Sequence, residues 1–116
     1  MKKTLLILAA LLSLSINTAM ADNSDDDYAT ALTILKPLAE SGDANAQFKL
    51  GLMYQLGLGV WQDDLKAYMW LNIARYNGQE KSIDAINFLE RQMLPADIRA
   101  AKAMAKICLD TGYSNC

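Results

Sequence analysis

The stretch DDLKAYMWLNIARYNG, residues 63–78, decides the fold of this chain. It sets an acid at Asp63, a small residue at Ala67, a bulky apolar residue at Trp70 and a glycine at Gly78. The same series stands 36 residues earlier as Asp27, Ala31, Ile34 and Gly42, and 34 residues later as Asp97, Ala101, Met104 and Gly112. Each series describes one helix. The acid answers the positive N-terminal end, the small and bulky residues share a face, and the glycine stops the helix. Self-similarity at this period marks helical repeat architectures, in which neighbouring units stack to bury a common core.

Working outward, apolar spacing predicts a first helix from Asp27, carrying Tyr28, Ala31, Leu32, Leu35, Leu38 and Ala39, with Pro37 an awkward residue in its last turn. Ser41-Gly42-Asp43 closes it, and Asp43 is the N-cap candidate for a second helix bearing Ala46, Phe48, Leu50, Gly51, Leu52, Met53 and Tyr54. Gly51 in mid-helix costs about 1 kcal/mol against alanine, so a neighbour packing closely against it is expected. The loop Gly57-Leu58-Gly59-Val60 follows. A third helix, Asp63 to Tyr76, is expected to bury Leu65, Ala67, Tyr68, Trp70, Leu71 and Ala74. A fourth, roughly Lys81 to Met93, shows Ile83, Ile86, Phe88, Leu89 and Met93. Pro95 suits the first turn of a fifth, which runs to about Leu109 with Ile98, Ala101, Met104, Ala105 and Cys108. Nothing reads as strand. The expected fold is all-α, a short α-solenoid of about five helices in antiparallel pairs.

Residues 1–21 read as a signal peptide: Lys2 and Lys3, a short apolar core from Leu5 to Leu14, then Ala19-Met20-Ala21 as a small-x-small cleavage site. That run is too short to span a membrane, and no later segment resembles a span. Residues 22–26 are a polar, acidic tail expected to be disordered. The formal net charge is −2, and loss of Lys2 and Lys3 makes the remainder more acidic. An acidic surface argues against nucleic acid or an anionic membrane as partner. The two cysteines, Cys108 and Cys116, form an even count in an exported chain, which favours a disulfide. On one continuous helix their Cα atoms would lie about 12 Å apart, too far for a bridge, so the bond needs a turn at Gly112. A metal site is the poorer alternative, because the chain contains no histidine.

The stretch AQFKLGLMYQLGLGV, residues 46–60, continued through Asp63, Ala67, Trp70, Ala74 and Gly78, resembles a Sel-1-like repeat, a branch of the tetratricopeptide-like helical repeats. The Leu-Gly-x-x-Tyr and Gly-x-Gly-Val-x-x-Asp elements occur together at the family's spacing. On this resemblance residues 27–116 form the repeat domain, with a full repeat at about 42–77 and partial repeats at 27–41 and 80–116. Trp61 and Arg75 depart from the pattern, standing where the family often has proline and alanine. The Cys108–Cys116 spacing is similar to that of the disulfides in cysteine-rich, secreted bacterial members, where the bond ties one repeat to the next. The resemblance implies a protein exported to the bacterial periplasm or beyond.

Chemistry has little to work with. Without histidine there is no Ser-His-Asp, Cys-His or imidazole–metal arrangement. Ser24, Ser41, Ser82 and Ser114 have no lysine three residues on, and the Gly57–Gly59 loop is not a phosphate loop. Asp63 and Asp64 read as dipole partners rather than an acid–base pair. The expectation is therefore a non-catalytic interaction module or adaptor that uses no cofactor and binds a protein or envelope component. By analogy with tetratricopeptide grooves, Asn45, Phe48, Leu52 and Gln55 would face the partner, with Trp61 beside them if it is exposed. The alternatives are that Phe48 and Leu52 are core and that Trp61 packs across its loop onto Tyr54 or Tyr68. Two other functions stay open: an accessory structural subunit of a larger assembly, and a disfavoured enzyme acting on cell-wall or β-lactam substrates.

Overall fold

The computed structural model describes residues 25–116, and within them every regular element is helical. The signal-peptide expectation, residues 1–21, lies outside the described residues. The helices are α1 over 25–40, α2 Ala44–Leu56, α3 Asp64–Tyr76, α4 Ser82–Gln92 and α5 Pro95–Asp110. They pack as a short helical solenoid with α3 at its centre, in contact with α2, α4 and α5. The expected disordered tail is corrected at its end: Asp25 and Asp26 are already helical. Nothing in an acidic run interrupts the backbone ladder, and the Thr30 hydroxyl donates to the Asp26 carbonyl at 2.9 Å.

Local chemistry sets the boundaries. The carboxylate of Asp43 accepts from the Ala46 amide at 2.8 Å, and that of Asp63 from the Lys66 amide at 3.0 Å, so the expected acids cap α2 and α3. Asp63 sits just outside its helix as the N-cap rather than inside it. Pro95 occupies the first turn of α5, where its missing N–H costs nothing. After Gly57 caps α2, the loop turns under α1. A Cβ on Gly59 would lie 2.9 Å from the Tyr28 carbonyl carbon and oxygen, and the residue's φ of +69° adds a second reason for glycine.

The core divides about α3. On one side Trp70, Met69 and Ile73 meet Ala39 of α1, Ala46 and Leu50 of α2, and Ala105 and Cys108 of α5. On the other, Ala67, Tyr68 and Leu71 meet Ile86 and Leu89 of α4 and Ala101 of α5. A helix packed on several sides is apolar nearly all round, which explains why Met69 and Ile73 join the expected buried set and Leu65 stays half-buried. The expected contact at Gly51 is present. A Cβ there would sit 2.8 Å from Leu71 Cγ and 3.3 Å from the Ala67 carbonyl oxygen.

The outer helices bury less than their spacing implies. Ile34, the counterpart of Trp70, is 59% exposed, and Tyr28 and Leu38 are exposed as well. In α4 only Ser82, Ile86 and Leu89 are buried, while Ile83 and Phe88 face solvent. Each of these helices packs along a single stripe, so apolar residues off that stripe remain uncovered.

One corner ties the array together. Gln47, fully buried, donates from Nε2 to the Ala39 carbonyl at 3.0 Å. Its Oε1 accepts from Asn77 Nδ2, which also donates to the Tyr113 hydroxyl, both at 2.9 Å. The end of α1, the start of α2, the end of α3 and the C-terminal turn thus share one polar chain. Beyond α5, Gly112 and Tyr113 both adopt positive φ and the Tyr113 amide donates to the Cys108 carbonyl at 2.8 Å. This reversal brings Cys116 to disulfide distance from Cys108, with Cα atoms 4.7 Å apart.

Candidate functional site

Residues 45, 48, 52 and 55 are spaced three, four and three apart, which sets them on one face of α2. Asn45 is exposed, and its Oδ1 accepts from Gln79 Nε2 in the α3–α4 connection. Phe48 and Leu52 are half-buried, and both pack against the α3–α4–α5 cluster. Part of each ring or side chain therefore belongs to the core and part remains presented. Gln55 is also half-buried, and its Oε1 has no hydrogen-bond partner among the described residues. That oxygen is itself buried, so what Gln55 presents along this face is the rest of its side chain.

Trp61 stands apart from that row. It lies past the glycine loop and is 94% exposed, so it does not pack on Tyr54 or Tyr68. Tyr54 instead lies under Lys66, whose Nζ is 5.4 Å from the ring centroid. Leu56, on the other flank of the same loop, is 63% exposed. The loop's stiffness comes from its own bonds: the Leu58 amide reaches back to the Met53 carbonyl and the Asp63 amide to the Tyr54 carbonyl, both at 2.9 Å. An indole on a braced loop, uncovered by its own chain, is a ready anchor for another molecule.

Groups able to do chemistry are sparse. Among the described residues, no three His, Cys, Asp or Glu side chains are grouped to hold a metal. Ser41 and Ser114 donate to backbone carbonyls within their own turns, and Ser82 is buried without a partner. Tyr68 has a perturbed pKa. Burial raises its pKa above the ordinary tyrosine value, and its hydrogen bond to Glu90 Oε1, at 2.7 Å, raises it further. A tyrosine held protonated beneath a glutamate braces α3 against α4.

The sequence reading missed a cavity of about 310 Å³ between α1, α2, α3 and the C-terminal turn. Tyr54, Trp70 and Tyr113 wall it, with Lys36, Glu40 and Lys66 as its polar side. Lys36 and Glu40 are one helical turn apart, as are Lys66 and Trp70, so helical spacing was a signal for each wall. Their convergence depends on where the chain goes after the reversal at Gly112, which helical spacing does not give. No protein-family model matches the chain, and no curated protein matches it.

Proposed function

We propose that this chain is a non-catalytic binding module, a short Sel-1-like array that recognises a protein or another envelope component after export to the bacterial periplasm or beyond. The observation that carries this reading is Trp61, almost wholly exposed on a hydrogen-bonded loop with Leu56 on its other flank. Large apolar side chains placed on a stiff support lose little entropy on binding, and tryptophan is enriched among the residues that dominate interfaces. The row Asn45, Phe48, Leu52 and Gln55 extends the surface along α2. Support for the repeat family rests on the motif spacing in residues 46–78 together with the all-helical stack and the Cys108–Cys116 pair.

A second reading, an accessory subunit docked edge-on in a larger assembly, draws on Ile34 and Leu38, which leave an apolar strip on the outer face of α1. One experiment separates the two. Immobilised protein beginning at Asp22 is compared with its Trp61→Ala and Ile34→Asp variants for capture of partners from an envelope extract, with circular dichroism confirming the fold. Loss with Trp61→Ala alone supports the module, and loss with Ile34→Asp alone supports the subunit. Capture indifferent to both removes both surfaces. Turnover of β-lactams or peptidoglycan fragments that a single Ser or Asp substitution abolishes would replace binding with catalysis.

A further inference from the structure

On another part of the molecule, α3 and α5 enclose an open cleft of about 560 Å³. That size lies within the range of about 300–1,000 Å³ common to ligand sites. Arg75 lines it from α3, and Lys102 and Lys106 line it from α5, one helical turn apart. Ala105 and Leu109 form an apolar floor, and Tyr76 stands at the side, 76% exposed. Lys106 is paired with Asp110, whereas Arg75 and Lys102 have no carboxylate within ion-pair distance among the described residues. Cations near helix C-termini commonly answer the helix dipole, which accounts for Arg75 in the last turn of α3, and Lys106 is accounted for by its pairing with Asp110. Lys102 lies in the middle of α5 and has no such explanation.

This cluster runs against the acidic character of the chain, whose formal charge is −2. In a chain that is acidic overall, a basic cluster lining one cleft favours an anion there. A small inorganic anion would leave the apolar floor unused. A nucleic acid needs a longer basic stripe than one cleft between two helices supplies. Asn72 also lines the cleft, and its amide nitrogen donates to the Tyr68 carbonyl at 3.3 Å, which leaves Oδ1 as the group able to accept from a ligand N–H.

We propose that the α3–α5 cleft binds an extended acidic peptide. Two of its carboxylates pair with Arg75 and Lys102, an apolar side chain between them lies over Ala105 and Leu109, and a backbone N–H donates to Asn72. The cleft is open to solvent along one side, which suits a chain laid across it rather than an enclosed small molecule. Asp110 also lines the cleft, where it is paired with Lys106.

The test is fluorescence anisotropy with a short labelled peptide repeating Glu-Glu-Leu, run beside a Lys-Lys-Leu peptide and a single-stranded oligonucleotide. The Glu-Glu-Leu probe should bind, weaken as salt is raised, and lose about tenfold in affinity in the Arg75→Glu, Lys102→Glu double variant. Lys49→Glu, a charge reversal on α2 outside the cleft, should bind as the parent does. Arg75→Gln with Lys102→Gln gives a second, milder variant should the reversal disturb the helical circular dichroism spectrum. Failure of the parent to bind the probe, unchanged affinity in both double variants, or preference for the lysine peptide or the oligonucleotide would overturn the proposal.

Discussion

Asn77 is the last residue before the glycine that ends the central repeat, and its side chain does more than close a helix. Its amide nitrogen bridges Gln47 Oε1 and the Tyr113 hydroxyl, 30 and 36 residues away in sequence. Asn77→Ala would leave the Gln47 oxygen unpaired inside the core, and an unsatisfied buried acceptor costs about 1–3 kcal/mol. Urea denaturation should show a midpoint lowered accordingly with an unchanged slope, and a midpoint equal to that of the parent would remove the bridge from the account. Tyr68 makes a second prediction. A phenol whose folded pKa is raised contributes stability that is fully present below the unfolded value of about 10 and is lost as pH climbs through the folded one. Stability should therefore fall above pH 10, and Tyr68→Phe should lose about 1 kcal/mol at neutral pH while flattening the alkaline decline. Equal alkaline slopes in both proteins would assign the loss to other groups.

Between elements, the decisive contacts are those where two backbones come close. Gly51 faces Leu71 and the Ala67 carbonyl, and Gly59 faces the α1 backbone at Tyr28. The obstacles differ, and so should the outcomes. Gly51→Ala gains about 1 kcal/mol in helix propensity, but its Cβ would lie 2.8 Å from the branch carbon of the fully buried Leu71 and 3.3 Å from the Ala67 carbonyl oxygen, so the two effects oppose each other. Gly51→Leu overpacks the same contact and should destabilise by about 1–3 kcal/mol. Gly59→Ala meets backbone that cannot move aside, at a φ that disfavours any side chain, and should cost more than Gly51→Ala. Melting temperatures in the reverse order would contradict the packing. The helices and their stops were legible in the sequence because each is written locally, in capping acids, glycines and helical spacing. The Gly51 contact was legible too, as a costly residue without a local reason. The Gln47–Asn77–Tyr113 chain was not, since it joins three segments through single side chains with no periodicity. Nor was exposure along α1 and α4, because spacing marks which residues share a face but not whether a neighbour covers it. At the candidate surface, the row on α2 could be placed from spacing alone, whereas the exposure of Trp61 could be settled only by three-dimensional structure.

Across the whole molecule, a stacked array couples mainly nearest neighbours, so damage at one end ordinarily stays there. The C-terminal corner is built otherwise. The turn after α5 is held to that helix by the Cys108–Cys116 pair and the Tyr113-to-Cys108 backbone bond, and held to the centre of the array through Asn77. Opening the pair releases a short loop, worth roughly 2–3 kcal/mol in the chain-entropy view, and frees Tyr113 to leave a left-handed conformation that side chains disfavour. Once Tyr113 departs, Asn77 loses one acceptor and the hold on Gln47 slackens. Hydrogen exchange on the reduced protein should accordingly speed up in two places, around residues 105–116 and around the Gln47 and Asn77 amides, while the middle of α3 keeps its protection. Far-ultraviolet circular dichroism should change little, because α2 and α3 carry caps of their own that do not involve the bond. If faster exchange remained confined to residues after Cys108, the corner would be a simple terminal clasp, with no mechanical link to the start of α2.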